Sequence, residues 1–150
     1  MKELIKEYLE SKTDMQLATV TNGKPWICTV YFVYDEDFNL YWTSGRSRQH
    51  SKEILADPSA AVTIVKDTKR KQALQIAGEA YEVKDDDLEQ VHQLYQQRYG
   101  QKDYDLDEMK KRTEDGRSYW MFKPTEIWLW DEVNFPDAPK QKYDIAKESQ

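Results

Sequence analysis

Two stretches of this chain are apolar on both of the faces that a β-strand presents. In Trp26–Tyr34, the residues Trp26, Cys28, Val30 and Phe32 alternate with Ile27, Tyr31 and Val33. Near the other end, Ile127 and Leu129 alternate with Trp128 and Trp130. Successive strand side chains point to opposite faces, and an ordinary antiparallel strand keeps one face wet. A strand with two dry faces needs two covers. The interior of a small barrel supplies one. The other is either a helix of the same chain or a second subunit, and the alternation alone leaves both open.

The rest of the chain reads as further strands with helices around them. Leu4, Ile5, Tyr8 and Leu9 have helical spacing, which predicts a short amphipathic helix over residues 3–12. Met15–Thr21 has strand composition, and Asn22-Gly23 marks a tight hairpin turn into Trp26–Tyr34. After the polar turn Asp35–Asn39 comes a third strand, Leu40–Ser44, and then a short helix from His50 to Ala56 that stops before Pro58. Ala60–Lys66 and Ala73–Lys84 read as two more strands. Capping-box spacing at Asp86/Glu89 predicts a helix to about Tyr99 closed by Gly100, and at Asp105/Glu108 a helix ending near Gly116. The last strand is Ser118–Asp131, bent at Pro124, and a polar tail follows from Asn134 to Gln150. Strands dominate and helices are peripheral, so a doubly wound α/β fold is excluded. The expectation is a single domain over residues 1–150, mainly β (α+β), with its core roughly within 3–131.

Charge and composition remove several functions. Asp and Glu number 28 against 22 Lys and Arg, and no basic stripe is visible, which argues against nucleic-acid binding. No apolar run suits a spanning helix, and the charged start of the chain has no signal core, so no membrane partner is expected. The single cysteine, Cys28, cannot form an internal disulfide, which makes the cytoplasm the default location. Two histidines, His50 and His92, and one cysteine assemble no structural zinc set, so no metal is expected. No Gly-x-Ser-x-Gly elbow is present. His92 has helical spacing with Leu88, Val91 and Tyr95 and reads as a packing histidine, and Cys28 as an inert strand residue. Mean hydropathy is low at −0.94, yet aromatic residues make up 13 % of the chain, so its apolar surface is concentrated in rings that suit pocket walls or subunit contacts.

The loop Thr43-Ser44-Gly45-Arg46-Ser47-Arg48-Gln49-His50 carries the strongest chemical signal. It leaves a strand and opens a helix, and helix N-termini present free N–H groups that attract anions. Its hydroxyls and guanidinium groups suit a phosphate monoester. A solvated turn with Ser47 as N-cap has the same composition. Gln75, inside the strand Ala73–Gly78, needs partners for both ends of its amide.

The order of these pieces resembles the pyridoxamine 5'-phosphate oxidase-like, FMN-binding split-barrel family. Its carriers are Leu17-Ala18-Thr19-Val20, Gly23-Lys24-Pro25-Trp26, Val30-Tyr31-Phe32, Leu40–Ser44, Ser47–Ile54, Asp57–Ile64 and Leu74–Ala80, spread over roughly residues 3–131. The resemblance implies a six-stranded antiparallel split β-barrel with peripheral helices, working as a homodimer with FMN in the clefts between subunits. It places Cys28, Thr29 and Val30 beside the flavin. Thr43 and Ser44 become ring or ribityl-phosphate contacts, Ser47, Arg48 and His50 the phosphate corner, and Gln75 a contact to the ring edge.

This chain departs from the oxidases proper. Its second strand offers Ile27-Cys28-Thr29 and no arginine, the loop is about one residue longer, and His50 stands where lysine is common. The phosphate grip is then weaker or falls to Arg46 or Arg48. The arginine-rich C-terminal substrate signature is replaced by Asn134–Tyr143, which argues against vitamin B6 oxidation. The implied function is an FMN-dependent oxidoreductase acting on a small organic molecule, with Trp120, Trp128 or Trp130 as candidate cleft walls. No residue stands out as its acid or base. The alternatives are a non-catalytic flavin or haem carrier and a deazaflavin-dependent reductase.

Overall fold

The computed structural model describes residues 1–100 and 103–148. In chain order the elements are α1 (Lys2–Ser11), β1 (Asp14–Thr21), β2 (Lys24–Tyr31), β3 (Val33–Tyr34), β4 (Leu40–Gly45), α2 (Gln49–Ala56), β5 (Ser59–Asp67) and β6 (Gln72–Glu82). A 3₁₀ turn at Asp85–Asp87 then leads into α3 (Leu88–Tyr99), α4 (Leu106–Lys110), β7 (Arg117–Asp131), β8 (Lys140–Tyr143) and α5 (Ile145–Glu148). Every strand pairing is antiparallel, in the order β2-β1-β5-β6-β7-β4-β3, with β8 beside the second half of β7.

The barrel is closed by a single bent run of chain. β1 and β2 form a hairpin in register Thr21↔Lys24 to Asp14↔Tyr31, turned by Asn22 and Gly23, both at positive φ. The backbone then breaks at Phe32, whose N–H donates to Thr13 O at 3.0 Å. Beyond the break β3 pairs with β4 instead. The stretch Trp26–Tyr34 therefore supplies both edges of the sheet. The six expected strands become eight because that stretch counts twice and because the tail folds. Asn134–Gln150 is not simply a polar tail: Lys140–Tyr143 pairs with Ile127–Trp130, although Ser149 and Gln150 lie outside the described residues.

β7 bends where Pro124 predicts. The register against β6 jumps from Ala77↔Glu126 to Gly78↔Pro124, leaving Thr125 as the extra residue of a bulge. A Cβ on Gly78 would stand 2.3 Å from Lys123 O and 2.8 Å from Phe122 Cζ, so glycine is needed for this close approach.

Interior positions alternate along each strand. Met15, Leu17, Phe32, Leu40, Trp42, Val62, Ile64, Leu74, Ile76, Trp120, Phe122, Ile127 and Leu129 fill one core, sealed by Ile5, Tyr8 and Leu9 of α1 and Ile54 of α2. A second cluster lies outside the sheet, where Val33, Tyr41 and Tyr119 meet Val91 and Tyr95 of α3. The two covers left open by the alternation are thus divided. A helix of the same chain covers the second face at Val33 and Tyr119. The outer face of β2 is mostly uncovered among the described residues: Ile27 is 62 % exposed and Tyr31, although edge-on to Tyr99 of α3, 66 %.

Helix boundaries show where short-range signals fail. Asp105 does cap α4, accepting from Glu108 N at 3.1 Å, but that helix stops at Lys110 rather than near Gly116. The Asp86/Glu89 capping box does not form, because residues 85–87 turn as 3₁₀ and Asp87 occupies the N-cap of α3 without a side-chain bond.

Candidate functional site

The corner between β4 and α2 is held from below. Arg46 donates from its backbone N–H to Gly116 O at 2.8 Å and from its side chain to Glu82 Oε2 at 3.0 Å and Arg112 O at 2.6 Å. Arg112 approaches the same Glu82 oxygen at 2.7 Å, and the Glu82 side chain is only 12 % exposed. Arg46 is therefore committed to this internal network. Ser47 and Arg48 are exposed beside it, and no side-chain bond caps α2. The N-cap is Arg48, not Ser47. The first turn of α2 has no acidic residue, so its N–H groups keep an uncompensated positive end.

Thr43 and Ser44 point to opposite sides of β4. Ser44 faces inward and is bonded to His50 Nε2 at 2.8 Å, while its carbonyl accepts from Trp120 Nε1 at 3.1 Å. Burial, reinforced by the Arg48 charge and partly offset by Glu53, pushes the His50 imidazole below its ordinary range, so it is neutral at pH 7. Thr43 faces the α3 side, donating to Ser118 O at 3.1 Å and accepting from Arg117 at 3.3 Å. Behind the corner, Ser51 is fully buried and its hydroxyl has no partner among the described residues. Thr19 of β1 reaches Glu53 Oε1 at 3.3 Å.

The strand residues separate in the same way. Cys28 and Val30 pair with the buried Leu17 and Met15 and pack against the core, whereas Thr29 lies on the outer face opposite Gln16. Burial, with a smaller contribution from Glu53, pushes the Cys28 thiol up, which keeps it protonated and unreactive. Gln75 is exposed on that outer face, in a row that runs Thr29, Gln16, Thr63, Gln75, Trp128 and Lys142 across successive strands. Next to this row, Ala18, Ala61 and Ala77 form the floor of a shallow apolar groove walled by Ile27 and Trp128. Trp120 is no cleft wall, being wholly buried in the core, while Trp128 and Trp130 share the outer face.

Cys28 and Val30 thus turn toward the core and Thr43 toward Ser118 and Arg117, while the other expected residues fall into two groups. Ser44, Ser47, Arg48 and His50 lie together at the corner. Thr29 and Gln75 lie on the outer face. Ser118, opposite Ser44, and Trp128, opposite Gln75, are ten residues apart on β7, a contour of roughly 33 Å. Sequence reasoning missed Glu82 and Arg112, which fix the corner through contacts 30 or more positions apart. It also missed Lys140 and Lys142, whose ammonium groups sit 4.7 and 5.4 Å from the Trp128 ring centroid. Their period-two spacing was the available signal. Among the described residues no cluster of His, Cys, Asp or Glu is suited to a metal, and no helix is long and apolar enough to cross a membrane.

An antiparallel barrel closed by one broken strand, with a polar corner at the start of a short helix, defines the split-barrel class. The chain belongs to the pyridoxamine 5'-phosphate oxidase family, whose sequence pattern matches residues 1–131. Among curated proteins, none matches. Solved structures share the fold at low identity. A haem binding protein from Mycobacterium smegmatis superposes with a TM-score of 0.74 at 17 % identity, over 97 % of this chain and 58 % of that one. A haem storage protein from Vibrio cholerae gives 0.63 at 20 %, over 81 % and 88 %. A Clostridium acetobutylicum protein related to general stress protein 26, of the pyridoxinephosphate oxidase family, gives 0.67 at 13 %, over 97 % and 95 %.

Proposed function

We propose that two copies of this chain associate through the outer face of β2 and bind FMN in the seam between them, to move electrons to or from a small organic molecule. The observation that carries this reading is the uncovered face: Ile27 and Tyr31 are 62 and 66 % exposed on a strand whose composition suits burial on both sides, and Trp26, near the start of the same strand but on its other face, is 46 % exposed. A second copy also accounts for the separation of the two residue groups, because the corner of one subunit and Gln75 of the other can face a single ligand.

The donor set fits a phosphate. Arg48 and Ser47 are exposed, the first turn of α2 carries no carboxylate, and the Ser51 hydroxyl behind it is unpartnered. Ser47, Arg48 and the N–H groups opening α2 would hold the phosphate, with Ser44 fixing the ring of His50 beneath them. Cys28, Thr29 and Val30 would pass along the flavin, largely through backbone, and the Gln75 amide would donate and accept at the ring edge. Bound there, a flavin supplies the electron-transfer chemistry. The chain's own part is to position it and exclude water, in a cytoplasm that keeps Cys28 reduced.

Haem is the second reading, favoured by the two structural neighbours named for it. Both histidines are already engaged through a ring nitrogen, His50 by Ser44 and His92 by Tyr119. The deciding experiment titrates the purified protein with FMN and with haem while following absorbance, melting temperature and mass in solution. FMN should bind and raise stability by about 2.7 kcal/mol at a hundred times its Kd. Replacing Ser47 and Arg48 together by alanine should weaken that binding without lowering the melting temperature of the unliganded protein. A monomer that takes up haem and ignores FMN overturns the proposal.

A further inference from the structure

The tyrosines beneath α3 are more than filling for the second cluster. Four rings run in sequence through it. Tyr31, exposed on β2, has its ring centroid 6.2 Å from that of Tyr99; Tyr99 lies 5.5 Å from Tyr95, and Tyr95 lies 5.3 Å from Tyr119. Tyr104 flanks Tyr119 at 6.0 Å and carries the Arg117 guanidinium 5.2 Å from its ring centroid. In the single chain the series begins at an exposed ring and ends at a buried one, since Tyr119 is 0 % and Tyr95 2 % accessible.

The far end differs from the rest in one respect. Tyr95 donates its phenol proton to Tyr31 O at 3.3 Å, and Tyr99 donates to the carbonyls of Thr13 and Phe32. A peptide carbonyl is too weak a base to keep that proton. The Tyr119 hydroxyl instead meets His92 Nδ1 at 2.8 Å. Neutral imidazole has a nitrogen lone pair and can take a proton outright. Burial keeps Tyr119 and Tyr95 protonated well above neutral pH. Removing an electron from any of these phenols makes it a strong acid, so the hole settles where the proton has somewhere to go. Among the buried rings of the series that place is Tyr119.

We propose that Tyr119 and His92 form a proton-coupled redox centre that takes up one-electron oxidising equivalents reaching it through Tyr99 and Tyr95, with Tyr31 as the outermost ring, exposed in the single chain and facing the seam in the proposed dimer. The step balances with a one-electron oxidant, such as a metal-complex or oxygen-derived radical, arriving at the outer rings, Tyr31 in the single chain or the half-buried Tyr99 in the dimer. The oxidant gains one electron. Tyr119 loses that electron, its O–H proton moves to His92 Nδ1, and the products are a neutral phenoxyl radical and an imidazolium. A one-electron reductant reverses both transfers. The centre needs no cofactor, so its test is separate from that of FMN binding.

The test is photochemical oxidation of the purified full chain with tris(bipyridyl)ruthenium and persulfate, trapped by freezing and read by electron paramagnetic resonance. Wild type should give a tyrosyl signal in which one ring geometry dominates. Tyr119→Phe deletes only a hydroxyl, and that dominant signal should be lost while the melting curve stays cooperative. His92→Gln keeps a hydrogen-bonding side chain but removes the base, and should also lose the signal. Tyr95→Phe should leave Tyr119 in place but lower the yield at short delay. A Tyr119→Phe or His92→Gln protein that folds and gives the wild-type spectrum at the wild-type yield overturns the proposal, as does a wild-type signal spread over surface tyrosines.

Discussion

Asp131 ends β7 and is wholly buried, yet its carboxylate has five donors. Tyr8 O–H bonds it at 2.8 Å, Gln72 Nε2 at 3.3 Å, Val133 N at 3.0 Å, and Asn134 donates from N at 2.9 Å and Nδ2 at 2.7 Å. The family pattern stops at this residue, so Asp131 is where the shared barrel is joined to the segment that becomes β8. Asp131→Ala strands the Tyr8 hydroxyl and the Gln72 amide inside the protein, while the donors of residues 133–134 can turn to water. Counting two stranded buried donors and the loss of charge-assisted bonds, the substitution should destabilise by about 3 kcal/mol. For a chain of this size that lowers the melting temperature by about 6–12 °C. Asp131→Asn keeps the volume and one acceptor, and should lose roughly half as much.

The pH dependence of this effect has a definite sign. Burial alone would raise the Asp131 carboxyl, but bonds from Asn134, Tyr8 and Gln72 outweigh it and hold it below the usual carboxylate range. A depressed folded-state value means the stabilisation is complete above the unfolded value of about 3.9 and disappears as the pH falls through the folded one. Thermal melts of wild type and Asp131→Ala should therefore lie furthest apart at neutral pH and converge in acid. Equal melting temperatures at pH 7, or a gap that widens on acidification, would refute this account of the carboxylate.

Three further outcomes follow from particular contacts. Gly78→Ala must displace the Lys123 carbonyl at the bulge, and should cost about 2–3 kcal/mol in a denaturant melt. Glu82→Gln removes the charge shared by Arg46 and Arg112, lowering stability by about 1–3 kcal/mol and raising hydrogen exchange at residues 45–49. Ile27→Glu places a carboxylate in the proposed seam, and light scattering should show monomers where wild type gives dimers, with the monomer's own melting temperature nearly unchanged because Ile27 is exposed in the single chain.

Much of the fold was legible because local and long-range signals agree. Asn22-Gly23 marked the β1–β2 hairpin, and the composition of Met15–Thr21 marked β1 as a strand. Pro124 marked the bulge. What was not legible depended on distant partners. The carboxylate of Glu82 looks solvated until the fold brings Arg46 and Arg112 to it. The tail looks unstructured because Lys140–Tyr143 has a polar face, and its pairing surface on β7 is a property of the barrel, not of the tail. The 3₁₀ turn at Asp85–Asp87 overrode a capping box that local spacing alone would have formed.

The candidate site was legible in its chemistry but not in its geometry. Each residue had the right groups, but period-two alternation already separates neighbours: Thr29 from Cys28 and Val30, and Thr43 from Ser44. A ligand that touches both Ser44 and Gln75 must bridge residues set roughly 33 Å apart along the contour of β7. Either the bend of β7 brings both to one ligand within a single chain, or the ligand lies between copies. The exposed apolar face of β2 favours the second branch, because it supplies a reason for two copies to meet that owes nothing to the ligand. The two branches part on one measurement. If Gln75→Ala and Arg48→Ala both weaken FMN binding in the wild-type assembly, mixing the two variants should restore one full-affinity site per heterodimer. A site built within one chain would gain nothing from mixing.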